Sequence, residues 1–213
     1  MAYFKCFRNS NNFDIIFIVC FFLIWFYWGL YVIKICNWLM HRLSKKYYFI
    51  ERFNTTELKN LNSNTTIIFR DYAKKPNITE LLKIKEFCKK RNIKVYLANN
   101  FGLALRLGFD GAYIPSFNKY FSHLNYSFKK NFELIGSAHN IKEIRLKEVQ
   151  KIKKIVISSI FKKNKNYLGI NRFKNVSKYT DKKIIALGGL TKKNIKKLAL
   201  TKSDSFAGIS FFE

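Results

Sequence analysis

Acidic side chains are what this sequence has least of. Thirteen Asp and Glu stand against 40 Lys and Arg in 213 residues, a formal net charge of +27. Chemistry built on paired carboxylates or a carboxylate-rich metal site is therefore poorly supplied. The four cysteines (Cys6, Cys20, Cys36 and Cys88) show neither metal-ligand spacing nor a paired framework, so structural thiols in a reducing compartment are the default. The three histidines, His41, His123 and His139, are too scattered to make a metal site by themselves. Arginine is scarce beside lysine, and no arginine-rich tract or nucleic-acid motif stands out. The lysines are spread along helix-like segments, which makes nucleic acid the weakest reading of the charge and leaves an anionic surface or phosphorylated substrates.

A small-residue cleavage site is also missing after the one long apolar run, IIFIVCFFLIWFYWGLYVI at residues 15–33. Its 19 residues approach the ~20 that cross a bilayer core as a helix. Lys34, Arg42, Lys45 and Lys46 follow it, against Lys5 and Arg8 before it, which places the C-terminal part in the cytoplasm, anchored at the inner face of the membrane. Two other readings stay open: an initiator at Met40 with everything before it untranslated, or a buried extra helix. The chain divides into an apolar segment, residues 1–44, and a second unit, residues 45–213.

In the second unit short β-branched runs alternate with helical patterns. Strands are expected at 46–53 (KYYFIERF), 65–70 (TTIIFR), 93–98 (IKVYLA), 112–115 (AYIP), 132–137 (FELIGS), 154–160 (KIVISSI), 183–187 and 205–209. Residues 54–64 read as a polar turn. Helices are expected at 78–90 with Leu81, Leu82, Ile84 and Phe87 on one face, at 102–107, and at 141–150 with Ile144, Leu146 and Val149 inward. Eight strands in this rhythm predict a parallel sheet closed into a (βα)8 barrel. The chain stops at Glu213, so the eighth helix is missing or reduced, and apolar surface is left between the first and seventh helices for residues 1–40 to cover.

Two of these strands break into glycine. KIIAL runs into Gly188-Gly189-Leu190-Thr191, and SFA runs into Gly208-Ile209-Ser210. Strand ends of this kind let backbone N–H groups approach an anion, and a helix opening at Thr191 would add the positive end of its dipole. The bland alternative is that the glycines only close tight turns. In a (βα)8 barrel the last two βα loops are the usual phosphate site. The other strand ends supply Arg70, Asn99 and Asn100, Tyr113 with Ser116 and Asn118, Ser137 and His139, and Ser158 with Ser159. This mouth is polar and poor in carboxylates, and it suits an anionic ligand. Arg70 could grip a phosphate bidentately or be solvated; His139 could be catalytic or cap the next helix.

From about residue 46 to 213 the chain resembles the thiamine phosphate synthase/TenI family of barrels. The likeness rests on Ile68-Phe69-Arg70, on ALRLGFDG at 104–111, on Ser137-Ala138-His139-Asn140 as the family's S-x-H-N stretch, and on Ala186-Leu187-Gly188-Gly189-Leu190 with Ala207-Gly208-Ile209. The last pattern is most like the synthase-like domain attached to some Nudix hydrolases. The resemblance implies condensation of hydroxymethylpyrimidine diphosphate with thiazole phosphate in thiamine biosynthesis, with Mg²⁺ on the leaving diphosphate. It places Gly188, Gly189, Gly208, Ile209 and Ser210 on the thiazole phosphate. Arg70, Ser137 and Lys165 would face the diphosphate, with His139 among the catalytic groups. The family's Mg²⁺-binding aspartates fall on Asn99 or Asn100 and on Asn118; its strand-four His is Tyr113, and its strand-two Lys is Tyr72. The alternative implied by these departures is a TenI-like protein that binds or isomerises thiazole phosphate, or a non-catalytic phosphate-binding module.

Overall fold

Asparagine sets the rhythm of the second unit. In the computed structural model, which describes residues 43, 45–70, 72, 77–162, 165–209 and 211–212, four helices open on an Asn whose side chain accepts a backbone N–H of the first turn. Asn54 caps α1 (Thr55–Leu58), Asn77 α2 (Ile78–Lys90), Asn100 α3 (Phe101–Leu107) and Asn140 α4 (Ile141–Val149). A fifth helix, α5, spans Gly169–Ser177. Between these elements run eight short strands: β1 (Lys46–Ile50), β2 (Thr65–Phe69), β3 (Lys94–Ala98), β4 (Gly111–Ile114), β5 (Glu133–Ala138), β6 (Lys154–Ser158), β7 (Lys183–Leu187) and β8 (Ser203–Gly208). They pair in parallel in chain order, and β8 closes on β1 with Lys46 opposite Phe206 and Tyr48 opposite Gly208. Closure leaves the sheet without an edge.

Alternation along each strand separates two cores. Tyr47, Phe49, Ile68, Tyr96, Tyr113, Ile135, Val156, Ile185 and Ala207 fill the barrel, while Tyr48, Ile67, Val95, Ile155 and Ile184 face the helices. At the N-terminal end of the barrel, Glu133 accepts from Lys154 Nζ at 2.5 Å and from the Tyr96 hydroxyl at 2.8 Å. Burial pushes the Glu133 carboxyl up, but these two donors outweigh it and hold it below its ordinary value. The same parity carries Arg70, two residues past Ile68, to the opposite, C-terminal mouth.

Several expectations need correction. Residues 54–64 contain a helical turn, α1, and β1 stops at Ile50. On α2 the buried positions are Leu81, Ile84 and Cys88, while Leu82 is exposed. On α4, Val149 is exposed; Lys147 and Gln150 are buried in its place because the helix turns them toward the loop after β4. Lys147 Nζ donates to the carbonyls of Pro115 and Asn118 and to Gln150 Oε1, each at 2.9 Å. Past β7 there is only a 3-10 helix, Ile195–Leu200, so no α-helix dipole faces the glycines. No helix follows β8 among the described residues; Phe211 packs on Phe206 and Phe212 on Tyr48, each at 4.7 Å, and covers the β8–β1 seam. The apolar stretch 15–33 lies outside the described residues, among which no helix is long and apolar enough to cross a membrane.

Candidate functional site

The two glycine-broken strand ends meet. β7 and β8 are neighbours, Leu187 pairing with Ala207, and both termini line one cleft of about 470 Å³ at the C-terminal mouth. Gly188, Gly189, Gly208 and Ile209 form one wall with Ser158 and Ser159; Phe49 and Arg70 stand in the lining as well. Ser210 lies outside the described residues.

Backbone geometry explains why residues 188 and 189 are glycine. Gly188 has φ +102° and Gly189 φ +67°, both in the left-handed region. A Cβ on Gly189 would lie 2.8 Å from the Phe161 carbonyl carbon, and one on Gly188 would collide with Ser159. The loop after β6 runs this close because Ile160 N donates to Leu187 O and Phe161 N to Gly188 O, both at 3.0 Å. In a trans peptide the N–H points opposite to the C=O, so these bonds turn the Gly188 and Gly189 N–H groups away from the β6 loop. Outside the β7–β8 ladder, neither N–H donates to another backbone group among the described residues. Two adjacent glycine amides beside an open cleft are an arrangement that can take an anion, here with no α-helix dipole behind it.

The other mouth residues fall into three groups. Arg70 gives one guanidinium N–H to Glu51 Oε1 at 2.7 Å, in a pair exposed enough to exchange readily. Its carbon lies 5.5 Å from the Phe49 ring centroid. His139 at the end of β5 reaches β6: its Nδ1 lies 3.0 Å from the Ser158 carbonyl oxygen and 3.1 Å from Ser158 Oγ. A carbonyl only accepts, so Nδ1 carries the proton of the neutral ring and Nε2 is left as the basic nitrogen. The helix-cap reading of His139 is replaced, because Asn140 takes the cap through Glu143 N.

The third group is the pair of asparagines. Asn118 Nδ2 donates to Asn99 Oδ1 at 2.7 Å, and Asn118 Oδ1 accepts from Tyr120 N at 3.0 Å. Asn99, at φ +59°, donates its own N–H to Tyr113 O, while Asn100 caps α3; the residue facing Asn118 is thus Asn99. Two neutral carboxamides already bonded to each other do not fit a hard dication such as Mg²⁺, which wants anionic oxygen. Among the described residues no three His, Cys, Asp or Glu side chains gather as a ligand set.

Two expected contacts are not brought into the cleft. Ser137 is buried and shares a hydrogen bond with Tyr113, whose phenol burial pushes up, with Ser137 and Arg70 acting against that. Lys165 is exposed in the loop after β6, where Lys162 lines the cleft instead. Sequence reasoning missed Phe49, although the Tyr47-x-Phe49 alternation pointed it inward. It also missed Lys147, for which a lysine on an amphipathic helix carries no signal.

The geometry can be set beside known proteins. A family model described as thiamine monophosphate synthase matches residues 51–212. Thiamine phosphate pyrophosphorylase from Pyrococcus furiosus is similar in structure with a TM-score of 0.66 at 17% identity, over 81% of this chain and 88% of that one. The putative copper homeostasis protein CutC from Streptococcus agalactiae gives 0.59 at 14% identity, over 78% and 98%. FabK from Thermotoga maritima gives 0.59 at 14% identity, over 81% and 60%. At such identities these structures share the fold alone. No curated protein matches the sequence. The family model spans most of the chain and all eight strand ends but the first, and on that ground the chain belongs to the thiamine monophosphate synthase/TenI family.

Proposed function

We propose that this protein binds thiazole phosphate in the β7/β8 cleft and works on that half of thiamine phosphate alone, as a TenI-like member of its family. The observation that carries the reading is the convergence of the Gly188–Gly189 amides and the Gly208–Ile209 strand end on one cleft. A phosphate there would take backbone N–H bonds, with Arg70 on the facing wall as a charged donor. The diphosphate half is poorly equipped: Ser137 is bonded to Tyr113, and Asn99 to Asn118. In this reading His139 Nε2 would take a ring proton, a role supported by the Ser158 carbonyl that holds Nδ1 as the protonated nitrogen.

Calorimetry with thiazole phosphate tests the reading directly. The full chain should bind it at least ~10-fold more tightly than the unphosphorylated thiazole, since charge-assisted hydrogen bonds contribute about 1.5–3 kcal/mol. His139→Gln should leave that affinity within about twofold while stopping proton exchange at the ring, followed by NMR in D₂O. Formation of thiamine phosphate from the two phosphorylated halves would overturn the proposal in favour of a synthase.

The asparagine pair gives a second test. Wild type titrated with Mg²⁺ should give no binding heat, whereas Asn99→Asp/Asn118→Asp should bind it, because two carboxylates restore the charge a hard cation needs. Equal Mg²⁺ binding by both proteins would contradict the assignment of these two positions.

A further inference from the structure

Two exposed aromatic rings stand at the rim of the mouth, on the arc of the barrel opposite the glycines. Tyr72 follows β2 and Phe117 follows β4, and their rings meet edge to face with centroids 5.3 Å apart. Tyr72 is 45% and Phe117 60% exposed. Behind them the Arg70 guanidinium lies 5.9 Å from the Tyr72 ring centroid and 5.5 Å from that of Phe49. Phe49 in turn meets Tyr113 edge to face at 5.2 Å. Phe49 and Arg70 line the same cleft as Gly188 and Gly189. Arg70 therefore borders both the cleft that Gly188 and Gly189 line and the aromatic pair at the rim.

An aromatic pair whose only task was to tie two loops together would hide its apolar area, and this one leaves about half of it in water. An edge-to-face pair also leaves ring faces open, and an open face beside a guanidinium is a seat for another flat ring. Burial first, and Tyr113 second, push the Tyr72 phenol up from its ordinary value, with Arg70 acting the other way. Its environment is thus shared with the groups of the mouth, although much of the side chain stays wet.

We propose that Tyr72 and Phe117, backed by Arg70, are specificity-determining residues that seat a planar heteroaromatic ring whose single phosphate is held at Gly188 and Gly189. The inference rests on the phosphate-binding reading above and adds to it what selects the rest of the ligand. A phenol at position 72 brings no cation for a second phosphate. Arg70, bonded to Glu51, presents its flat face to Tyr72 and Phe49 as well as its charge. One phosphate and one ring match that inventory; a diphosphate on an aliphatic carrier does not.

The test compares thiazole phosphate, glycerol 3-phosphate and inorganic phosphate as probes by calorimetry. Wild type should prefer thiazole phosphate to glycerol 3-phosphate by about 10- to 100-fold, the range that one ring stacked on an aromatic side chain contributes. Tyr72→Leu/Phe117→Leu should erase that preference and leave inorganic phosphate affinity unchanged; Tyr72→Phe should retain it. Both side chains are exposed, so circular dichroism should show the double variant folded. A double variant that still prefers the aromatic phosphate overturns this inference and leaves the proposed function standing. A wild type that binds none of the three phosphates overturns both.

Discussion

Gly188→Ala is expected to abolish phosphate binding and to lower stability by about 2–4 kcal/mol. Two effects act at once. An L residue is strained at φ +102°, and the added methyl would meet Ser159, whose Cβ and Cα lie 2.8 and 2.9 Å from it. Ser159 cannot retreat, because the neighbouring Ile160 and Phe161 amides are bonded to Leu187 and Gly188. The strand end must therefore move, and the two N–H groups move with it. Gly189→Ala should also lose binding: φ +67° costs an L residue ~1–2 kcal/mol, and its Cβ would lie 2.8 Å from the Phe161 carbonyl carbon. Gly102 serves as the control: a Cβ there meets nothing within 4 Å, so Gly102→Ala in α3 should stabilise by about 0.5–1 kcal/mol. Urea unfolding beside phosphate titration separates the effects. A Gly188→Ala protein that binds phosphate as wild type does would show that the amides are not the anion site.

Removing Lys147 should cost nearly as much. This ammonium is fully buried at the end of a stem for which Gly136 leaves room, and it holds three acceptors of the β4 loop and α4. Lys147→Met keeps the stem and leaves those acceptors short of a donor, a loss of about 2–4 kcal/mol at pH 7. The loop it releases carries Asn118 and Phe117, so the aromatic rim should loosen as well. Burial lowers the Lys147 ammonium from 10.5 to about 8, with Glu143 acting in the opposite direction. The sign follows from linkage: between those values the unfolded chain binds the proton more readily, so wild-type stability rises as pH is raised from about 8 to 10.5. The full gain is about 3 kcal/mol, and it should be missing from the Lys147→Met curve. Parallel stability curves for the two proteins across that interval would show that Lys147 is not the group responsible.

How much of this was legible in advance divides along the range of the forces involved. Strand–helix alternation, barrel closure and the family likeness are written in local pattern: KIVIS and TTIIF favour strands in any context. The glycine-broken ends of β7 and β8 were legible for the same reason, since glycine is where a chain comes close to something else.

What local pattern could not hold was decided by neighbours distant in the chain. The span after Thr191 has helical periodicity, yet it forms only a 3-10 turn, so no α-helix dipole faces Gly188 and Gly189. The inward turn of Lys147 depends on carbonyls about 30 residues earlier. The pairing of Asn99 with Asn118, of His139 with Ser158, and of Tyr72 with Phe117 exists only once the barrel sets their strand ends side by side. By itself the sequence determined the architecture and the two glycine-broken strand ends, because both follow from short-range sterics and hydrophobic period. Tertiary structure determined which polar groups are already bonded to one another, and hence what remains to meet a ligand, because that depends on contacts closed only by the fold.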